Sequence, residues 1–242
     1  MALFHEGVTR KGKKSSLYDV LPVENNAALD LNQTNNMVDG GFLLHHMKWK
    51  PSSNVSSICH QYITYITKHY GPNCMVVFDG YSDVNSKKRS EQKRRGLTKT
   101  SVDIICNENT IITVQQEHFL ANEKNKTRLI LFLTEKMTAA GIEITVATGD
   151  ADGTIVRCEL DKAAVHPTVV IVGEDVDLIV LFMGLAPPNI NLFFMKPGRG
   201  KVETKLFSVR QLQQLPFGKT ILLLHSFSGC DTTSAIHGRI KV

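Results

Sequence analysis

The chain contains Val169-Val170-Ile171-Val172-Gly173-Glu174-Asp175-Val176-Asp177, four apolar residues followed, after one glycine, by three acids within four positions. A short β-branched run of this kind is typical of a strand that is buried on both faces of a parallel sheet. In open parallel sheets, ligands bind beyond the carboxyl ends of the strands, which is where these acids fall. The stretch therefore predicts an α/β domain with an acidic site at one edge of its sheet.

The same arrangement, an apolar run followed by acids, recurs along the chain. The further acids are Asp39, Asp79, Asp150, Asp152 and, after a looser strand-like run at 222–231, Asp231. Several ionised carboxylates cannot share one crevice unless their pKa values rise or cations neutralise them. Ligand sets made only of oxygen select Mg²⁺ or Mn²⁺. The pattern therefore predicts a divalent-metal site.

Composition limits the classes to which the chain can belong. Its 242 residues are 42% hydrophobic, enough for one sizeable core and one domain. The five cysteines are scattered and never form a Cys-x-x-Cys pair, which argues against a zinc site or a disulfide framework and for a reducing compartment, the nucleus or the cytoplasm. No signal pattern opens the chain, and the longest apolar run, 178–186, is too short to cross a bilayer. We expect no membrane partner.

The net charge of +5 is concentrated in one segment. Residues 87–99 contain seven basic residues against the single acid Glu91, a net charge of +6, so the rest of the chain carries −1. A basic block that follows Asp79 closely suggests contact with a polyanion, because lysine and arginine release counterions from phosphates of any sequence. A solvated loop or a nuclear-import signal is the alternative interpretation.

Strand and helix patterns alternate along the chain, which indicates a parallel sheet. Strands are predicted near Met37 and at 75–78, 142–147 and 169–172, and helices at 56–70, at 117–140, and after Asp150 and Asp175. Residues 1–34 are polar and aperiodic, so we interpret them as an N-terminal extension or mobile tail. Residues 35–242 form the predicted domain.

The order of the acids resembles the flap-endonuclease and XPG branch of the PIN-like nucleases. Asp39 matches the first acid of that family and Val77-Phe78-Asp79-Gly80 the second, while Asp150-Ala151-Asp152 stands where the family has Glu-Ala-Glu. Glu174-Asp175-Val176-Asp177 matches its Glu-Asp-x-Asp, and Ser228-Gly229-Cys230-Asp231 its final Gly-x-Asp. The resemblance implies a three-layer α/β fold with a central, mostly parallel sheet, and a structure-specific nuclease of nucleic acid, DNA ahead of RNA, acting as a monomer.

The resemblance also implies roles for individual residues. Lys87 and Arg94 are the counterparts of basic residues that grip the scissile phosphate, and the residues expected to bind nucleic acid are Lys87, Lys88, Lys93, Arg94 and Arg95. Two ions about 3.5 to 4 Å apart would activate water and stabilise the leaving oxygen. We assign the first ion to Asp39, Asp79 and Asp152, supported by Asp150, and the second to Asp175, Asp177 and Asp231.

The chain also departs from the family pattern. Asp150 and Asp152 replace longer glutamates, and the chain ends at Val242, soon after the start of the expected duplex-binding helical hairpin. A catalytically weak or inactive module that binds nucleic acid or protein is therefore an alternative. A phosphatase is a second one, because Asp150-Ala151-Asp152-Gly153-Thr154 matches the Asp-x-Asp-Gly-Thr of the haloacid-dehalogenase type. That interpretation leaves Asp39, Asp79 and Asp231 unexplained.

Overall fold

The computed structural model describes residues 4–5, 8–9, 14–24, 29–71, 73–80, 102–147, 151–163 and 166–228. Two short strands, β1 (Phe4–His5) and β2 (Val8–Thr9), pair with each other in an antiparallel ribbon. The main sheet consists of β3 (Asn35–Asp39), β4 (Cys74–Phe78), β5 (Glu143–Val146), β6 (Val169–Val172), β7 (Leu192–Lys196) and β8 (Lys205–Ser208). Its spatial order is β5-β4-β3-β6-β7-β8. All neighbours are parallel except β8, which pairs antiparallel with β7.

Helices cover both faces of this sheet. On one face lie α1 (Gly40–His46), α2 (Val55–Tyr70), α3 (Gln116–Ala121) and α4 (Glu123–Ala139), and on the other lie α5 (Ala151–Ala163), α6 (Val176–Leu185), α7 (Val209–Gln213) and α8 (Ile221–Ser228). Alternate residues of β6 serve the two cores, since Val169 and Ile171 face α6 while Val170 and Val172 face α2 and α4. The three-layer, mostly parallel α/β fold predicted from the sequence is therefore confirmed.

The helix boundaries follow from short local signals. Asn54 caps α2 through a hydrogen bond from the Ser57 amide to its side chain, and Gly71, at φ 75°, follows the last turn. Gly141, at φ 80°, comes directly after the C-cap of α4, where glycine adopts a left-handed conformation without strain. The predicted helix at 117–140 is in fact two helices, because the side chain of Asn122 accepts hydrogen bonds from the amides of Lys124 and Asn125 and starts α4.

The prediction of a strand at the leucine run was wrong. Residues 221–228 form the helix α8. A short apolar run does not distinguish a strand from a buried helix by its periodicity, so packing decides. Here Leu222 lies so close to α6 that a Cβ added to Gly184 would be 2.4 Å from the Leu222 Cγ. The absence of a side chain at Gly184 lets the two helices approach.

The interpretation of residues 1–34 as a tail was wrong for part of that segment. Residues 14–19 form a 3₁₀ helix whose Tyr18, together with Leu21, is buried in the core beside β7 and β8. The Glu24 amide also donates a hydrogen bond to the Leu206 carbonyl on β8. Both apolar side chains belong to the main core, so the folded domain begins before residue 35.

No helix in the described residues is long and apolar enough to cross a membrane.

Candidate functional site

The candidate site lies at the carboxyl ends of β3, β4 and β6. The chain leaves β3 toward β4 and β5 on one side and later returns to place β6, β7 and β8 on the other side. The boundary between β3 and β6 is therefore the topological switch point, where helices leave the sheet in opposite directions and open a crevice. Asp39 ends β3, and Glu174 and Asp175 follow β6, so acids border this crevice on both sides.

Asp39 and Asp79 converge beside Gly41. A Cβ placed on Gly41 would lie 3.2 Å from the Asp39 Oδ1 and 3.9 Å from the Asp79 Oδ2. These two distances together set an upper limit of about 7 Å between the two carboxylate oxygens. In the described part of the chain, neither Asp39 nor Asp79 forms an ion pair. Negative charge therefore accumulates at the end of β3 without a described cation to offset it.

This accumulation changes the acidity of Asp39. The pKa of Asp39 is raised from 3.8 to about 6, and burial is the largest cause. The nearby charges of Asp79 and Asp175 also raise the pKa, while hydrogen bonds from the amides of Phe42 and Gly41 lower it. The Gly41 amide donates to Oδ1 at 2.8 Å and makes Asp39 the N-cap of α1. Asp39 thus lies close enough to both other acids to interact with them electrostatically.

The turn after β6 holds the second group of acids. Asp175 caps α6 by accepting a hydrogen bond from the Asp177 amide at 2.9 Å. The hydroxyl of Tyr18 donates to the carbonyls of Asp175 and Glu174, at 3.1 and 3.3 Å. Tyr18 is itself fixed between the rings of Phe194 and Phe207, whose centroids lie 6.3 and 5.6 Å from its own. The N-terminal segment therefore holds the backbone of the acidic turn.

Two histidines contact the ends of this acidic motif. His225, on α8, places Nε2 3.1 Å from the Asp177 Oδ1, and the two side chains are only 13% and 10% exposed. His46, at the end of α1, places Nδ1 3.5 Å from the Glu174 Oε1. The ring of His46 also packs against Phe42, at 4.7 Å between centroids. The carboxylates of Glu174 and Asp177 therefore each lie beside an imidazole.

The predicted ligands differ in how far the structure describes them. Asp152 is half-buried in the first turn of α5, and no described distance connects it with Asp39 or Asp79. Among the described residues, no group of three or more His, Cys, Asp or Glu side chains is arranged to hold a metal ion. The remaining predicted site residues lie outside the described residues: Asp150, Asp231, Lys87, Lys88, Lys93, Arg94 and Arg95. The two assigned ligand sets stay predictions.

Sequence reasoning did not find three residues that shape the site: Tyr18, Gly41 and His225. Tyr18 lies in a polar segment and acts across 157 positions of sequence. His225 meets Asp177 only because α8 is a helix. Gly41 had a usable signal, because it belongs to a Gly-Gly pair directly after a strand-ending acid, and such glycines mark a close approach of the backbone.

Comparison with known proteins gives similarity in structure alone. No protein-family model matches the chain, and no curated protein matches it either. Two solved structures have a similar fold. The catalytic core of Rad2 in complex with DNA substrate is 16% identical, with a TM-score of 0.53 over 92% of this chain and 64% of that one. Human GEN1 in complex with Holliday junction DNA is 13% identical, with a TM-score of 0.55 over 93% of this chain and 53% of that one.

These likenesses show that the chain has a flap-endonuclease-like, PIN-like fold. The chain spans between about half and two thirds of the length of the two solved chains. The fold predicted from the order of the acids is therefore confirmed, whereas the roles of individual residues come from the chemistry of the site.

Proposed function

We propose that this chain is a structure-specific, divalent-metal-dependent nuclease that hydrolyses phosphodiester bonds in DNA or RNA. One observation carries the proposal: Asp39 and Asp79 converge at the switch point of a flap-endonuclease-like fold, within electrostatic reach of Asp175 and without an ion pair in the described residues. The Rad2 core and human GEN1, two of the solved proteins with a similar fold, were solved in complex with DNA. Partly buried like charges at the end of a sheet favour binding of a cation.

The donors fit a hard divalent cation. Asp39 and Asp79 offer carboxylate oxygens, which suit Mg²⁺ or Mn²⁺ better than softer metals. In the proposed arrangement Asp39, Asp79 and Asp152, supported by Asp150, hold one ion, and Asp175, Asp177 and Asp231 hold the other. When bound, the two ions supply activation of a water molecule and stabilisation of the leaving oxygen.

The protein itself positions the substrate and the ligands. Hydrogen bonds from backbone amides orient Asp39 and Asp175, each at the start of a helix. The hydroxyl of Tyr18 fixes the turn that carries Asp175. Gly41 has no side chain, which leaves the space beside Asp39 and Asp79 open to a phosphate and its cations. Lys87 and Arg94, with Lys88, Lys93 and Arg95, are proposed to contact the phosphates of the substrate.

The remaining proposals concern the setting of the reaction. We place the protein in the nucleus or the cytoplasm because its five cysteines are scattered and never form a Cys-x-x-Cys pair. The preferred substrate is DNA, and the protein acts as a monomer.

A binding module without catalysis is the second candidate, and one observation favours it. The described residues contain no group of three ligands arranged for a metal ion. Such a module would use the same crevice and basic segment to bind nucleic acid, with an affinity that falls as the salt concentration rises.

The experiment that separates the two candidates is a cleavage assay. Labelled branched and linear DNA and RNA are incubated with the protein and Mg²⁺ or Mn²⁺, with a chelator as control. The nuclease proposal expects metal-dependent cleavage that is lost in the Asp175→Asn, Asp177→Asn double variant. Cleavage that survives in this variant would refute the assignment of the second ion, and salt-sensitive binding without any cleavage would establish the binding module.

A further inference from the structure

The contact between His225 and Asp177 has the dimensions of two ligands on one ion. Nε2 and Oδ1 are 3.1 Å apart. Ligand atoms at right angles around a cation with bonds of about 2.1 Å lie about 3.0 Å apart. One ion could therefore contact both atoms with almost no movement of either side chain.

The surroundings hold both side chains in place. Asp177 lies in the first turn of α6, whose start is fixed by the cap at Asp175. His225 lies on α8, which packs against α6 where Leu222 covers Gly184. The Nε2 atom of His225 is buried, and the two side chains are 13% and 10% exposed. A pair placed this way loses little conformational freedom when it binds an ion, since both rotamers are already restricted by packing.

We propose that His225 is a nitrogen ligand of the ion held by Asp177, so that the second site is a mixed nitrogen and oxygen site. The inference rests on the proposed function, which assigns Asp175 and Asp177 to that ion. Its consequence is selectivity. Carboxylate and water ligands suit Mg²⁺, whereas imidazole favours first-row transition metals. The second site therefore prefers Mn²⁺ and later transition metals over Mg²⁺, while the oxygen-only first site accepts Mg²⁺.

His46 does not offer the same arrangement. Its Nδ1 lies 3.5 Å from the Glu174 Oε1, and Glu174 is half exposed, at 46% of its side chain. This distance is longer than that between two ligand atoms on one ion, and the exposed Glu174 side chain is less restricted than Asp177. The ring of His46 also packs against Phe42. His46 therefore serves as a comparison for the experiment.

The test uses the full chain, without nucleic acid, loaded with Mn²⁺ alone. Electron spin-echo envelope modulation of the bound Mn²⁺ reports any directly coordinated imidazole nitrogen. The expected result is a nitrogen modulation in the unmodified protein that disappears in His225→Gln and persists in His46→Gln and in His60→Gln, an exposed histidine on α2. The affinity for Mn²⁺ should fall about tenfold or more in His225→Gln, with a much smaller change for Mg²⁺.

The outcomes separate this inference from the proposed function. Bound Mn²⁺ without a nitrogen modulation, or a modulation that survives in His225→Gln, overturns the inference and leaves an oxygen-only nuclease site possible. Absence of any Mn²⁺ binding overturns both. A spectrum of the unmodified protein without a nitrogen modulation overturns the inference with no need for a variant. Where a modulation is present, its loss in His225→Gln assigns it to His225, and circular dichroism shows that this variant is folded.

Discussion

Asp39 serves two purposes with opposite demands on its charge. As the N-cap of α1 it accepts a hydrogen bond from the Gly41 amide, which favours the ionised form. Its burial and the neighbouring Asp79 and Asp175 favour the protonated form and raise its pKa to about 6. Such a group destabilises the folded protein at any pH at which it is ionised. The position of Asp39 suits binding of a cation, and the folded protein is less stable when the cation is removed.

Asp39→Asn should therefore stabilise the protein in the presence of a chelator at pH 8. Asparagine keeps the cap and removes the buried charge. The pKa of Asp39 is about 6 in the folded protein and 3.8 in the unfolded chain, so the folded protein binds the proton more tightly. Protonation of Asp39 therefore stabilises the folded protein fully below about pH 4, and this stabilisation is lost as the pH rises through 6. The gain at pH 8 should be about 3 kcal/mol at most, since each pH unit between the two values is worth about 1.4 kcal/mol.

Urea unfolding at pH 4 and pH 8 measures this effect. Asp161→Asn, at an exposed position on α5, is the control. An Asp39→Asn protein no more stable than this control at pH 8 would mean that Asp39 carries no buried charge.

Tyr18 supports the acidic turn after β6 through a single hydroxyl group. Tyr18→Phe keeps the packing against Phe194 and Phe207 and removes the donor to the carbonyls of Glu174 and Asp175. The free energy of unfolding should fall by about 1 kcal/mol, because two partly buried carbonyls lose their hydrogen-bond donor. The affinity for Mn²⁺ should fall as well, because the turn loses its support. Tyr65→Phe is the control, since among the described residues the Tyr65 hydroxyl forms one long contact, 3.5 Å to the Tyr70 hydroxyl. Equal effects of the two variants in urea unfolding and Mn²⁺ titration would contradict this role.

Among the elements, strands β3 to β6 were predictable and the packing between helices was not. β6 is four β-branched residues in a row, a pattern that requires burial on both faces, and it was predicted with its observed bounds. The run at 221–228 is equally apolar but forms a helix, because it packs against Gly184 of α6. That contact joins residues far apart in sequence, so no local pattern contains it. The pairing of His225 with Asp177 was missed for the same reason.

The two glycines of α1 should respond differently to alanine. A Cβ on Gly40 would lie 2.3 Å from the Phe78 Cδ1 and 2.7 Å from the Val77 carbonyl oxygen, so Gly40→Ala forces α1 away from β4 and should cost about 2 kcal/mol of stability. Among the described residues, a Cβ on Gly41 would lie within 4 Å only of carboxylate oxygens, those of Asp39 and Asp79. Gly41→Ala should therefore leave stability nearly unchanged and weaken metal binding by filling the space beside Asp39 and Asp79.

Urea unfolding and Mn²⁺ titration of the two variants check this contrast. A Gly41→Ala protein that binds Mn²⁺ as tightly as the unmodified protein would place the ion elsewhere.

For the molecule as a whole, the order of the acids along the chain predicted the architecture. Asp39, Asp79 and Asp175 end or follow parallel strands, which deliver their carboxyl ends to one edge of the sheet. Their order therefore predicted the sheet and the position of the crevice. Order does not give distances, and the assignment of Asp152 to the first ion depends on a distance. The segment 14–24 was also beyond prediction, since its contribution to the core rests on Tyr18 and Leu21 and not on a periodic pattern.

Cleavage of a labelled branched DNA in Mn²⁺ tests the central claim, that the acids at the ends of β3 and β4 form a metal-dependent phosphodiesterase site. The unmodified protein and Asp161→Asn should cleave this DNA, a chelator should abolish cleavage, and Asp79→Asn should cleave at a rate on the order of a hundredfold lower. An unmodified protein that does not cleave, cleavage that persists in chelator, or an Asp79→Asn protein that cleaves as fast as the Asp161→Asn control would show that these acids do not form such a site.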